Sequence, residues 1–482
     1  MTQTERLSPD TTPTSLTSRQ LEIMELLCLG CTNPEMARFL SISVNTIKAH
    51  IAAVYKALDV GNRTEAVYRF RQQFPAPTAA DPIEKIASIA VLPFAMSVGS
   101  GESSTGTARL AEVIAHRLTG WRRFPVCAAE TWAHRPSGEA LEAACEAGVA
   151  YALLGSLQRH DGRRRLELRL VSTAMGHIHW VQHFDIPQVL RIDDLEAIAS
   201  HVVAVLMPEL LKAESARTEA LPNDRRTAWD KVVRGLLLLE LSTASNCRDA
   251  AGLFLAAIEK SPDLALAHFG LAKANYLMLL ERWASDPAIS REALSRHAYR
   301  CMVLQPDHPD AGQILAMARV MDGEIELAIG LLAESVRINP SSISSHNLLG
   351  QLHAMKGRIE EGARHLAESS RLSVHTAAYS HNQGALALIR FALEDYQGCA
   401  AACRQGLVYE DNILMNALLV SACALEGDGE ATAKARSNLY RSQPDFRIDT
   451  MTPLLRDIAP LHSQRFLKGL REAGIEAFLP VA

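Results

Sequence analysis

Leu16-Thr17-Ser18-Arg19-Gln20 opens the stretch that organises this chain, and Ser43-Val44-Asn45-Thr46-Ile47-Lys48-Ala49-His50 is its centre. Thr17 and Gln20 have the spacing at which a hydroxyl and a carboxamide satisfy the free amides of a helix start. Leu21, Met24, Leu27 and Cys28 then recur at helical intervals until Gly30 ends the run. A second, short helix takes Thr32 or Asn33 as its cap, with Pro34 in its first turn, and buries Met36, Ala37, Phe39 and Leu40. Ser43 caps a third helix. Its residues Val44, Ile47, Ile51, Val54 and Leu58 face inward, which turns Asn45, Lys48, Ala49, Ala52 and Lys56 outward. Two short helices joined by a tight turn, the second presenting small and basic residues, suit the major groove of duplex DNA.

These residues, with Gly30-Cys31-Thr32-Asn33-Pro34-Glu35-Met36-Ala37 and Asn62-Arg63-Thr64-Glu65-Ala66-Val67, resemble the LuxR-type (GerE-type) helix-turn-helix. The resemblance implies a four-helix DNA-binding domain over residues 16–73, behind a disordered tail of residues 1–15. It implies base reading around Asn45, Lys48 and Ala49, with His50 on the same segment, and phosphate contact or its support from Thr46, Arg63 and Thr64. The fourth helix would carry a dimer contact. Two departures stand out. Ala52 and Ala53 occupy positions where the family often has a lysine or another polar residue, which thins the readout face, and Pro34 replaces what is often a basic residue.

The length of 482 residues accommodates about three domains. No run of eighteen apolar residues appears and the N-terminus is polar, so neither a membrane span nor a signal peptide is expected and the reading is a cytoplasmic protein. A net charge of -5 argues against a whole-surface grip on nucleic acid and leaves that task to a local patch. The nine cysteines lack framework spacing and read as reduced. Cys28-x-x-Cys31 has no second ligand pair nearby, and His177 and His179, on one face beside Trp180, lack a carboxylate or cysteine companion. No metal or other cofactor is expected.

Pro-Ala-Pro-Thr-Ala-Ala-Asp-Pro marks a linker over residues 74–84. Beyond it, Ser88 to Phe94 and Phe124 to Ala128 read as strands, Ala108 to Leu118 and Glu139 to Ala147 as helices. Tyr151 to His160, Arg164 to Ser172 and His177 to Phe184 read as hairpin strands, and Asp193 to Leu211 as a closing helix. A mixed sheet with helices packed on it follows. Ile89-Ala90-Val91-Leu92-Pro93-Phe94, Leu153-Leu154-Gly155-Ser156-Leu157 and Gly176-His177-Ile178-His179-Trp180 are similar to the TolB-like amino-terminal domain, which implies an α/β domain over residues 85–212. The loop from Gly99 to Gly106 lacks the Gly-Lys-Ser/Thr ending that holds phosphates. Arg159, Arg163, Arg164, Arg165 and Arg169 read as a solvated cluster around a hairpin. No nucleophile-base pair, paired carboxylates or phosphate loop emerges, so no enzyme is expected.

Pro306 and Pro340 lie thirty-four residues apart, as do Gly323 and Gly357, and Ala316, Gly350 and Gly384. That period is the signature of tetratricopeptide repeats. Ser261-Pro262, Gln305-Pro306, Asn339-Pro340 and Gln443-Pro444 mark the ends of second helices, and Glu394 takes the place of Gly357 three residues late. Four to six helix pairs therefore stack in a right-handed solenoid over residues 225–482, capped by an amphipathic helix from Arg465 to Gly474.

The fold class expected is multidomain and mainly α: an N-terminal four-helix helix-turn-helix domain, a central α/β TolB-like domain and a C-terminal tetratricopeptide α-solenoid. The function expected is transcriptional regulation. The partners expected are double-stranded DNA, a second copy of the chain, a protein or peptide on the repeat surface, and RNA polymerase. No receiver domain precedes the helix-turn-helix, so an aspartyl phosphate within the chain is not the expected switch. A different reading is an interaction scaffold whose N-terminal bundle has lost useful DNA affinity, with Ala52 and Ala53 as its motivation.

Overall fold

The computed structural model describes residues 16–28, 33–39, 42–73, 87–96, 105–127, 131–132, 135, 137–160, 163–187, 191–219, 226–241, 243–281, 283–374, 376, 378–448 and 463–475. The tail 1–15, the linker 74–84, Cys31, Thr32 and the loop ahead of Thr105 lie outside them.

Four helices come first: α1 (Ser18–Cys28), α2 (Asn33–Phe39), α3 (Val44–Leu58) and α4 (Arg63–Gln73). The reciprocal cap forms at α1, where Thr17 N donates to Gln20 Oε1 (2.8 Å) and Gln20 N to Thr17 Oγ1 (3.3 Å). A related cap opens α4: Glu65 N donates to Asn62 Oδ1 (2.9 Å), and the Glu65 carboxylate accepts from Gly61 N, the residue before the cap (2.8 Å). Ile23, Met24, Met36, Ile47, Val54 and Leu58 fill the core between the helices. Tyr299 and Val303, from a helix far along the chain, complete that core.

The middle unit holds β1 (Ile89–Val91), β2 (Ala95–Met96), α5 (Thr105–Thr119), β3 (Val126–Cys127), α6 (Ser137–Glu146), β4 (Tyr151–His160), β5 (Arg163–Ser172), β6 (Ile178–Ile186) and α7 (Ile192–Glu219). The sheet runs β3-β1-β4-β5-β6, with β2 beside β4; β1 pairs in parallel with β3 and β4, and β4, β5 and β6 are antiparallel. Alternation along β1 sends Ile89 and Val91 towards α5 and α7, and Ala90 with Leu92 towards α6. The strand is shorter than the apolar run around it because Pro93 has no N–H for a ladder. Helix α7 is longer than its apolar pattern, since Glu214 in its last turns accepts from buried Tyr151 Oη (2.9 Å) and pairs with Arg217 (2.7 Å). Arg164 corrects the solvated reading of its cluster: it is 8% exposed and donates to the Pro187 carbonyl (3.1 Å). Arg165 and Arg169 stay half-exposed, on Asp185 and Glu167.

Six helix pairs follow: α8 (Ala228–Glu240) with α9 (Ala244–Lys260), α10 (Ala265–Leu280) with α11 (Pro287–Leu304), α12 (Pro309–Met321) with α13 (Ile325–Ile338), α14 (Ile343–Met355) with α15 (Ile359–Ser373), α16 (Tyr379–Ala392) with α17 (Tyr396–Leu407), and α18 (Ile413–Glu426) with α19 (Gly429–Ser442). A last helix, α20 (Ser463–Glu472), packs Phe466 and Leu470 into the final pairs. The second helices α9, α11, α13 and α19 close at Ser261, Gln305, Asn339 and Gln443, each just ahead of a proline that cannot continue them. Within pairs the turn passes through the left-handed region at Gly323, Gly357 and Gly427 (φ 79, 76 and 83°), and at Glu394 (φ 63°).

The apolar interior is unevenly distributed. One continuous core runs from the sheet through α5 and α7 into α8 to α12, so the middle unit and the front of the array share a single interior. A second core joins α16 to α20. Between them the apolar clusters are small, and polar contacts such as Asn347 Nδ2 to Asn382 Oδ1 (2.6 Å) and Ser335 Oγ to Ser345 Oγ (3.2 Å) fill the interior.

Candidate nucleic-acid interface

Helix α3 begins at Ser43, whose hydroxyl accepts from Thr46 N (3.1 Å) and lies 2.8 Å from Thr46 Oγ1. It stops at Asp59, which adopts the left-handed conformation (φ 53°) and donates its N–H to the Lys56 carbonyl. Between these caps its buried stripe is Ile47, Ile51, Val54 and Leu58, packed against α1, α2 and α4. The opposite face is open. Asn45, Thr46, Lys48, Ala49, Ala52 and Lys56 are exposed, and His50 is half-buried at its margin. From Ser43 to Leu58 the chain carries Lys48 and Lys56 and no carboxylate. Such a face attracts a polyanion, while Ala49, Ala52 and Ala53 keep it flat enough for close approach.

Arg63 has a duty that the sequence does not signal. It is half-buried and donates from Nη2 to the Leu27 carbonyl (3.2 Å), bracing the start of α4 against the end of α1. Thr64 sits in the first turn of α4 beside it. Tyr68, on the same helix, is 65% exposed. The domain rests on α11 through Tyr299 and Val303; nothing in the local pattern of α11 marks those two residues as partners of a helix-turn-helix.

The repeat surface, expected to receive a protein or peptide, holds the middle unit at the front of the array. Arg123, just after α5, makes a two-point ion pair with Asp310 at the start of α12 (2.8 and 3.0 Å) and lies over the rings of Trp121 (4.9 Å) and Phe269 (5.5 Å). His308 Nε2 meets the Arg122 carbonyl (3.2 Å), and Gly120 comes so near the end of α13 that a Cβ there would sit 2.9 Å from the Ile338 carbonyl oxygen. Further along, Arg371 of α15 donates to the Ala197 carbonyl of α7 (3.0 Å). Among the described residues, no group of three or more His, Cys, Asp or Glu side chains is placed to hold a metal ion, and no helix is long and apolar enough to cross a membrane.

Residues 14–70 match the GerE family, described as bacterial regulatory proteins of the luxR family. The N-terminal helices are therefore a GerE/LuxR-type helix-turn-helix domain. Over 52 residues the chain is 48% identical to the CsgBAC operon transcriptional regulatory protein of Escherichia coli (strain K12), a match covering 11% of this chain and 24% of that one. Over 58 residues it is 47% identical to the transcriptional regulatory protein LiaR of Bacillus subtilis (strain 168), covering 12% and 28%. Each match thus takes in about a quarter of the relative's length. A longer and weaker match, 24% identity over 220 residues, covers 44% of this chain and 37% of a Rhizobium meliloti (strain 1021) protein named as a proposed adenylate cyclase. Among solved structures, a thermophilic TPR protein of Thermus thermophilus aligns with TM-score 0.33 and 17% identity, over 41% of this chain and 98% of that one. The Cut9-Hcn1 assembly aligns with TM-score 0.40 and 15% identity, over 58% and 49%.

Proposed function

We propose that this chain is a transcriptional regulator that binds promoter DNA as a dimer, with a TolB-like middle domain and a tetratricopeptide array that receive a signal or a protein partner. The observation that carries the reading is the open face of α3. It is capped, exposed and free of carboxylates, and it lies on a domain of GerE/LuxR type. Asn45, Lys48 and Ala49 would meet base edges, Lys48 suiting the acceptors of a guanine, with His50 at the margin. Thr46, Arg63 and Thr64 would contact phosphate or hold the groups that do. A single small helix makes few base contacts, so two half-sites are needed for useful affinity. RNA polymerase is the further partner such a regulator would engage at a promoter.

Genome-wide mapping of sites bound by the intact chain tests this. A reproducible inverted-repeat motif, lost on Lys48→Ala, is the expected result. No enrichment above background in any growth condition would refute the reading and favour the scaffold.

A further inference from the structure

Strand β6 is the outer strand of the sheet; among the described residues its strand neighbour is β5 on one side. Edges of this kind are ordinarily blunted by lysine, proline, a bulge or a short length. β6 runs nine residues, from Ile178 to Ile186, with neither lysine nor proline; a bulge at His179 confines the irregularity to its start and leaves a regular edge from Trp180 to Ile186. It exposes apolar side chains instead, Ile178 at 54% and Val181 at 43%.

Its sequence is also complementary to itself. Laid antiparallel against a second copy about Gln182, its regular stretch sets Val181 against His183 and Trp180 against Phe184, and the bulge at His179 ends the pairing beyond them. An aromatic pair across strands is a favourable combination. Within the regular stretch the pairing also preserves the faces, since the half-buried Trp180 and buried Phe184 both point to the inner side while Val181 and His183 are both exposed. Moving the centre to His183 would instead oppose the apolar Val181 to Asp185. An odd offset would set inner residues against outer ones. We propose that β6 pairs with β6 of a second copy of this chain about Gln182, making one sheet continuous across a two-fold axis.

This deepens the proposed function, which needs two copies on one operator, and rests on that reading only for its purpose. The pairing itself stands on the strand. It is therefore tested on the full chain without DNA.

Sedimentation velocity should report a dimer at micromolar concentration, and the double variant Ile178→Lys/Val181→Lys, with unchanged circular dichroism, should sediment as a monomer. Tyr68→Lys on α4 should leave the free dimer intact. Should the lysines compromise folding, a cysteine scan decides. Gln182→Cys lies on the axis, where directly opposed strand residues come within disulfide reach, and should cross-link under oxidation well above the wild-type background. Val181→Cys, which faces His183 of the other copy, should not. A wild-type monomer overturns the pairing. So does a dimer insensitive to the lysines and lost in Tyr68→Lys, or equal cross-linking at the two positions. A β6 dimer without any operator would leave this inference standing and remove the DNA-binding one.

Discussion

His346 and His365 face each other Nδ1 to Nδ1 at 3.1 Å, and His268 and His297 repeat the arrangement at 2.9 Å two pairs of helices earlier. In each pair the ring on the first helix has its Nε2 against a carbonyl, of Pro340 (3.2 Å) and Pro262 (2.9 Å). A carbonyl only accepts, so that nitrogen carries the proton, Nδ1 is left as an acceptor, and the facing histidine donates. The pairs are built for neutral rings.

Burial, then the neighbouring histidines and arginines, lowers His297 and His365 from the ordinary 6.5 to about 4, and His268 and His346 move in the same direction. A folded-state value below the unfolded one means stability that is complete above the unfolded value and is lost as pH falls. Between pH 6.5 and about 4 the array should lose roughly 1–3 kcal/mol, discounted because His365 is partly solvated. Urea midpoints at pH 7 and pH 5 check this, and the double variant His297→Gln/His365→Gln should flatten the difference.

Arg123→Ala should destabilise the chain by about 3–5 kcal/mol, because it strands the Asp310 carboxylate in a buried site. Arg123→Met/Asp310→Asn, which removes both charges at nearly constant volume, should cost less. Equal losses in chemical denaturation for the two would show that the ion pair does not hold the middle unit to the array.

Lys48→Ala should weaken specific DNA binding by roughly 1–3 kcal/mol in fluorescence anisotropy while leaving the melting temperature unchanged, since the side chain is exposed. Arg63→Ala should instead lower both, because its guanidinium braces α4 on the Leu27 carbonyl. Equal affinity for Lys48→Ala and wild type at low salt would count against α3 as the reading helix.

Gly357→Ala should cost about 1–2 kcal/mol, as a Cβ is disfavoured in the left-handed region. Glu394→Gly, at the matching turn of the next pair, should be nearly neutral. Relief of that strain is offset by glycine's entropy and by loss of the exposed ion pair with Arg465 (2.8 Å). Thermal melts of the two variants check the contrast.

What could be read from the sequence was local. The Thr17 to Gln20 box, the cap at Ser43 and the Xaa-Pro stops at Ser261, Gln305 and Asn339 depend on residues a few positions apart, and the structure forms them. The late turn at Glu394 was equally legible from the thirty-four-residue period. What escaped is carried by pairs remote in sequence. Arg123 and Asp310 are 187 positions apart, Tyr299 and Val303 join a core built near the amino end, and Arg164 turns inward only because the Pro187 carbonyl waits there. Periodicity carries no record of such meetings. It even misleads where a long helix is held by side-chain bonds, as α7 is through Glu214.

The polar stretch of the array, where Asn347 meets Asn382 between two apolar blocks, has a mechanical consequence. Side-chain hydrogen bonds can be exchanged for water at small net loss, whereas opening an apolar interface is expensive. Bending is therefore cheapest at α14 to α16. Under load the rear block from α16 to α20 should shift against the front block, which carries the helix-turn-helix on α11, before either block opens.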